Sequence, residues 1–180
     1  MAVAFISMCA RGDLEGVQAA LKSGTDVNIR DDFGVTGLIR ALWSRCTAVA
    51  RLLLEQEGID INIGDNLGRT ALHSAALHAE NSEVLAILLA HPELTTVNKR
   101  WTGGRTPLWM AVEGRAAGCV QMMISDPRTD PNIKNHRGNS PLMFAIKRNQ
   151  LECVDLLLPN PRVDMSERDT YKRSEEEVKR

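Results

Sequence analysis

Four histidines and four cysteines are the side chains of this 180-residue chain best suited to metal, redox or nucleophilic chemistry. Their spacing argues against all three. His73 and His78 lie five residues apart, whereas two metal-binding histidines on one helix face are spaced i, i+4 and joined by a carboxylate. His91 and His136 have no partner nearby in sequence. Ser74 follows His73 directly, but adjacent side chains of a helix diverge, so they form no nucleophile–base pair. Cys9, Cys46, Cys119 and Cys153 form no C-x-x-C pair and lack zinc-site spacing. Each sits in an apolar stretch, where a free cysteine acts as a small hydrophobe and suits a reducing compartment. Gly103-Gly104 belongs to a recurrent turn and not to a phosphate-cradling loop. No catalytic set, no metal site and no cofactor is expected.

These residues are positioned by a phrase that repeats. Gly68-Arg69-Thr70-Ala71-Leu72-His73-Ser74-Ala75 reads G-x-T-x-L-H-x-A. A glycine able to take positive φ closes a tight turn. The threonine then offers its hydroxyl to the free N–H groups of the helix that follows. Leu72, Ala75 and Ala76 fall on one face of that helix. The phrase returns as Gly34-Val35-Thr36-Gly37-Leu38, Gly104-Arg105-Thr106-Pro107-Leu108 and Gly138-Asn139-Ser140-Pro141-Leu142, at intervals of 34, 36 and 34 residues. Pro107 and Pro141 fall in the first helical turn, where a missing N–H costs nothing.

A period near 33 with a T-P-L-H-x-A core resembles the ankyrin repeat. The resemblance implies an all-α ankyrin-repeat solenoid of stacked helix-turn-helix units with β-turn or hairpin tips. A single domain over 1–180 would hold an N-terminal cap at about 1–30, units at 31–64, 65–100, 101–134 and 135–168, and a degenerate half-repeat at 169–180. Asp169–Ser174 echoes Asp65–Thr70 one period later, with Lys172 in place of the glycine. Expected helix pairs are 5–11 with 14–22, 37–43 with 47–56, 71–78 with 82–91, 107–113 with 118–125, and 141–148 with 151–158. The third unit has two extra residues, one near Glu80-Asn81 and one near Pro92-Glu93, in loops that absorb them cheaply. No unit can bury its apolar face alone, so Leu38, Leu72, Leu108 and Leu142 should form one buried ladder, and Leu53, Leu88, Met123 and Leu157 a second.

Composition narrows the function. Hydrophobic residues at 43% and charged residues at 25% fit a folded domain, and aromatics at 4% require a core of aliphatic side chains. Twenty-two basic against 23 acidic side chains leave a net charge of −1, without the basic stripe that nucleic acid needs. The apolar start, Met1–Ala10, lacks the positive flank of a signal peptide and reads as the first helix. No run approaches the ~18–20 apolar residues of a membrane span. A cytoplasmic or nuclear monomer is expected.

The resemblance implies a non-catalytic scaffold that holds another protein or peptide on its concave face and turn tips. It also implies that His73 bridges the backbone of adjacent turns. Candidate contact residues are Asp32, Phe33, Asn66 and Leu67 at tips, and Trp43, Leu77 and His78 on first helices. Trp101 stands where other units carry Asp or Asn and is expected either to bind or to cover the longer third-unit loop. Arg137, Lys147 and Arg148 make the C-terminal part of the same side basic, suited to an acidic segment of a partner. Leu54 through Asp60-Ile61-Asn62 resembles the context in which ankyrin asparagines are hydroxylated, against the plainer expectation that Asn62 bonds its own turn. The alternative to a free-standing scaffold is a regulatory or docking segment of a larger protein, such as a channel, kinase or ubiquitin-ligase subunit.

Overall fold

The computed structural model describes residues 2–165. The degenerate half-repeat at 169–180 lies outside the described residues. Ten α-helices follow one another in pairs: α1 (Ala2–Arg11) with α2 (Leu14–Lys22), α3 (Gly37–Trp43) with α4 (Thr47–Leu54), and α5 (Ala71–Leu77) with α6 (Ser82–Ala90). α7 (Pro107–Glu113) pairs with α8 (Ala117–Ser125), and α9 (Pro141–Lys147) with α10 (Leu151–Leu157). The first helices α1, α3, α5, α7 and α9 pack in sequence as one row, and the second helices as another. Between pairs, tips are pinned by isolated antiparallel bridges Arg30–Thr36, Gly64–Thr70 and Trp101–Arg105.

The repeated phrase does what its chemistry requires. Thr36 accepts from the Ile39 N–H at 3.3 Å, Thr106 from Trp109 at 3.3 Å and Ser140 from Met143 at 3.1 Å. Each satisfies a helix N–H that has no intrahelical acceptor. Helix ends depart from expectation by a few residues. α1 starts at Ala2, three residues early, and α4 stops at Leu54, where Gln56 N–H turns back to the Leu53 carbonyl and tightens the last turn. α5 stops at Leu77 because His78 is extended (φ −121°, ψ 127°) and leads into a 3-10 turn at Ala79–Asn81. That turn holds the inserted residue near Glu80-Asn81. Asn81 is buried and donates to the Leu42 carbonyl at 2.8 Å, which ties the insertion to the preceding unit.

Packing follows the period. Leu38, Leu72, Leu108 and Leu142 are buried in one row, and Leu53, Leu88, Met123 and Leu157 in the other. Each such side chain contributes ~1.5–3 kcal/mol. Ala41, Ala75, Ala111 and Ala145 recur at the same intervals and are fully buried, letting neighbouring first helices approach closely. Gly114 marks the tightest approach, since a Cβ there would lie 1.8 Å from the Leu77 carbonyl oxygen.

A second ladder uses polar groups. Asn28, Asn62, Asn98 and Asn132 each donate through Nδ2 to a carbonyl of the next unit, at Gly58 (2.7 Å), Glu93 (2.7 Å), Arg128 (2.8 Å) and Arg162 (2.7 Å). Their Oδ1 atoms accept from the N–H groups of Asp60, Thr95, Asp130 and Asp164 at 2.7–2.9 Å. Each asparagine thus brackets the backbone of the following exit loop. No helix among the described residues is long and apolar enough to cross a membrane.

Candidate protein-binding face

Tip and first-helix side chains meet on one side of the stack. At the first two tips, shape comes from one carboxylate per turn. Asp31 Oδ1 accepts from the N–H groups of Phe33 (3.0 Å) and Val35 (2.9 Å), and Asp65 Oδ1 from Leu67 (3.0 Å) and Arg69 (2.8 Å). Gly34 and Gly68 complete these turns at φ 73° and 86°, the left-handed region that side chains avoid. The turns hold Phe33 and Leu67 out in water, 73% and 59% exposed. Neighbouring tips are linked: Asn66 N–H donates to the Phe33 carbonyl at 2.9 Å, and Asn66 Nδ2 to the Asp32 carbonyl at 3.1 Å. Asn66 and Asp32 are exposed, but Asn66's amide is already used to set tip spacing.

Below the tips runs a ladder of alternating aromatic rings and guanidinium groups. The Arg69 guanidinium lies 4.3 Å from the Trp43 ring centroid and 5.6 Å from that of Trp101. Arg105 lies 5.8 Å from Trp101 and 5.2 Å from Trp109. Trp109 stacks on Phe144 at 4.3 Å, and Arg148 lies 5.5 Å over Phe144. Trp43 and Trp101 meet edge-on at 6.0 Å. Two of the arginines are held by carboxylates, Arg69 by Asp65 at 2.9 Å and Arg105 by Glu113 at 3.2 Å. A cation within ~6 Å of a ring centroid is attracted to it, the more so when partly desolvated.

Of the candidate residues, Phe33 and Leu67 are exposed, Trp43 and Leu77 are half-buried, and the guanidinium of Arg69 lies over the Trp43 ring. His78 is half-buried with its ring 6.3 Å from Trp43. Burial, and then the positive charge of Arg45, holds it below the ordinary histidine pKa. Trp101 spans Trp43 and His73 and so belongs to the ladder. Arg137, Lys147 and Arg148 are exposed at the far end. Reading for exposed apolar residues passed over Arg69, Arg105, Trp109 and Phe144. The available signal was an arginine directly after the turn glycine in two consecutive units.

The remaining reactive groups are structural. His73 is fully buried. Its Nδ1 accepts from the Thr70 N–H at 3.2 Å, so the proton sits on Nε2, which faces the Lys99 (3.0 Å) and Arg105 (3.3 Å) carbonyls. Burial lowers its pKa to about 4. Cys9 and Cys119 are pushed up by burial to about 12 and about 11, so both remain thiols. No cluster of three or more His, Cys, Asp or Glu suited to a metal occurs among the described residues. Asn62 bonds both its own turn and the next unit, so an oxygenase would reach its side chain only after that bracket opened.

The fold is a solenoid of helical hairpins whose first helices form one row and second helices another. A family model described as ankyrin repeats (3 copies) matches residues 5–100 and 79–169, and the chain belongs to the ankyrin-repeat family. It is 31% identical over 148 residues to the neurogenic locus notch homolog protein 1 of Danio rerio, covering 74% of this chain and 6% of that protein. It is 38% identical over 107 residues to the neurogenic locus Notch protein of Drosophila melanogaster, covering 58% of this chain and 4% of that protein. Against the Homo sapiens notch homolog protein 1 it is 37% identical over 99 residues, covering 54% and 4%. The chain thus spans 6% or less of the length of these relatives. Ankyrin repeats are generally protein–protein interaction modules without catalytic activity.

Proposed function

We propose that this chain is a non-catalytic scaffold that captures a partner protein on its tips and first helices. The observation that carries the reading is the pairing of exposed Phe33 and Leu67 with the aromatic–arginine ladder beside them. Exposed aromatic and aliphatic side chains next to ordered Trp and Arg have the composition of interface hot spots. The ladder supplies a rigid floor, and the tips supply the side chains that a partner would bury.

The test is capture of a cellular partner on the immobilised chain, its identification by mass spectrometry, and calorimetric titration against variants. Phe33→Ala with Leu67→Ala should weaken binding at least tenfold while leaving the melting temperature unchanged. Binding at wild-type strength would place the site elsewhere.

A second reading, a docking segment within a larger protein, is favoured by the Notch matches, in which the aligned array is a small part of a long chain. Sequencing the transcript past the Arg180 codon tests it. An in-frame continuation supports the larger protein, and an immediate stop codon overturns it.

A further inference from the structure

Three arginines of the earlier units are each matched by a carboxylate of their own unit: Arg40 by Asp31 at 3.7 Å, Arg69 by Asp65 at 2.9 Å and Arg105 by Glu113 at 3.2 Å. The last described unit places its charges differently: Asn139 stands where Arg69 and Arg105 stand, and the turn carboxylate is gone. Asn135 occupies the turn position of Asp31 and Asp65. It accepts the same two N–H groups, from Arg137 at 2.9 Å and Asn139 at 3.1 Å. The replacement therefore preserves the turn and removes its charge. Lys147 stands where Glu113 stands one unit earlier, so an acid has become a base. From 135 to 150 the sequence holds Arg137, Lys147 and Arg148 and no Asp or Glu.

Contacts position two of these cations. Lys147 Nζ donates to Asn139 Oδ1 at 2.6 Å, which draws the ammonium toward the turn carrying Arg137. Arg148 lies over the Phe144 ring, the last rung of the ladder. All three are exposed. Exposed Asp32 lies units away, beside Phe33.

We propose that this basic end is the docking site for a short acidic segment of a partner protein, whose carboxylates meet Arg137, Lys147 and Arg148 while an apolar residue rests against Phe144. The proposal rests on reading this face as the partner-binding surface. Charge complementarity selects the occupant. Nucleic acid fits less well, because a phosphate backbone running along the face would meet exposed Asp32 and half-buried Glu113, and tracking a strand requires a continuous basic groove.

The test is fluorescence anisotropy of the full chain with a labelled peptide of glutamates, glycines and one phenylalanine. A glutamine-for-glutamate peptide and a single-stranded oligonucleotide of equal charge serve as controls. The acidic peptide should bind, weaken with salt, and lose about tenfold or more in affinity to the combined Arg137→Gln, Lys147→Gln and Arg148→Gln variant. These are surface changes, and an unaltered melting temperature verifies the fold. Failure to bind the acidic peptide, equal binding by the triple variant, equal binding of the glutamine peptide, or tighter binding of the oligonucleotide would each overturn the proposal. A captured partner that needs Phe33 and Leu67 but ignores the triple variant would sink the acidic segment alone and leave the broader reading intact.

Discussion

Protonating His73 should strain the buried latch that the ring forms, through Nε2, to the Lys99 and Arg105 carbonyls, and the energetic effect is calculable. The ring is fully buried, and its Nδ1 is committed as an acceptor to the Thr70 N–H. A second proton would break that bond and place a charge in the core, which is why burial lowers the pKa from 6.5 to about 4. In the unfolded chain the same ring protonates near 6.5. The stability from a neutral His73 is therefore complete above about pH 7 and lost as pH falls from about 6.5 toward 4, with no further loss below. At about pH 5 the unfolded chain gains ~2 kcal/mol from protonation that the folded chain forgoes. The assay is urea unfolding of wild type and His73→Asn at about pH 7.5 and about pH 5. Subtracting the variant removes the shared carboxylate contribution. The stability gap should narrow by ~2 kcal/mol at the lower pH. A gap independent of pH would show that His73 is not held neutral, and the latch assignment would fail.

Other expected outcomes follow from the packing. Leu72→Ala should cost ~2–5 kcal/mol in chemical unfolding, because the site lies between units that cannot collapse independently; a loss below ~1 kcal/mol would contradict the register. Asn98→Ala removes a bracket that bonds the Arg128 carbonyl and Asp130 N–H, and should cost ~1–3 kcal/mol by thermal unfolding, against near-neutrality if the bonds are incidental. A double-mutant cycle of Trp43→Leu and Arg69→Gln should show a coupling of ~0.5–2 kcal/mol, and strict additivity would dismiss the cation–ring contact.

Local features were legible in the sequence because the residues that create them are neighbours. Thr106-Pro107-Leu108 carries cap, first turn and core contact within three positions, and α7 begins and ends where that phrase places it. The Leu38 and Leu53 ladders were readable for the same reason: a periodic apolar residue has one place to go. The ladder of rings was not legible, since Trp43 meets Arg69 only across units and at an angle set by stacking. Arginine reads as a solvated residue until a ring is found beneath it. The asparagines of the exit loops were visible, yet their bonds join residues about 30 positions apart, which no local pattern reports. Trp101 stood out as an anomaly of type, expected either to bind or to cover a loop, and only coordinates show it joining the stack of rings.

Hydrogen exchange of the full chain, free and with its captured partner, tests the binding side most directly. The account predicts new protection at the tips around 32–35 and 66–69 and along the first helices α3, α5, α7 and α9. Protection confined to the second helices α4, α6, α8 and α10 would put the partner on the opposite side and contradict it.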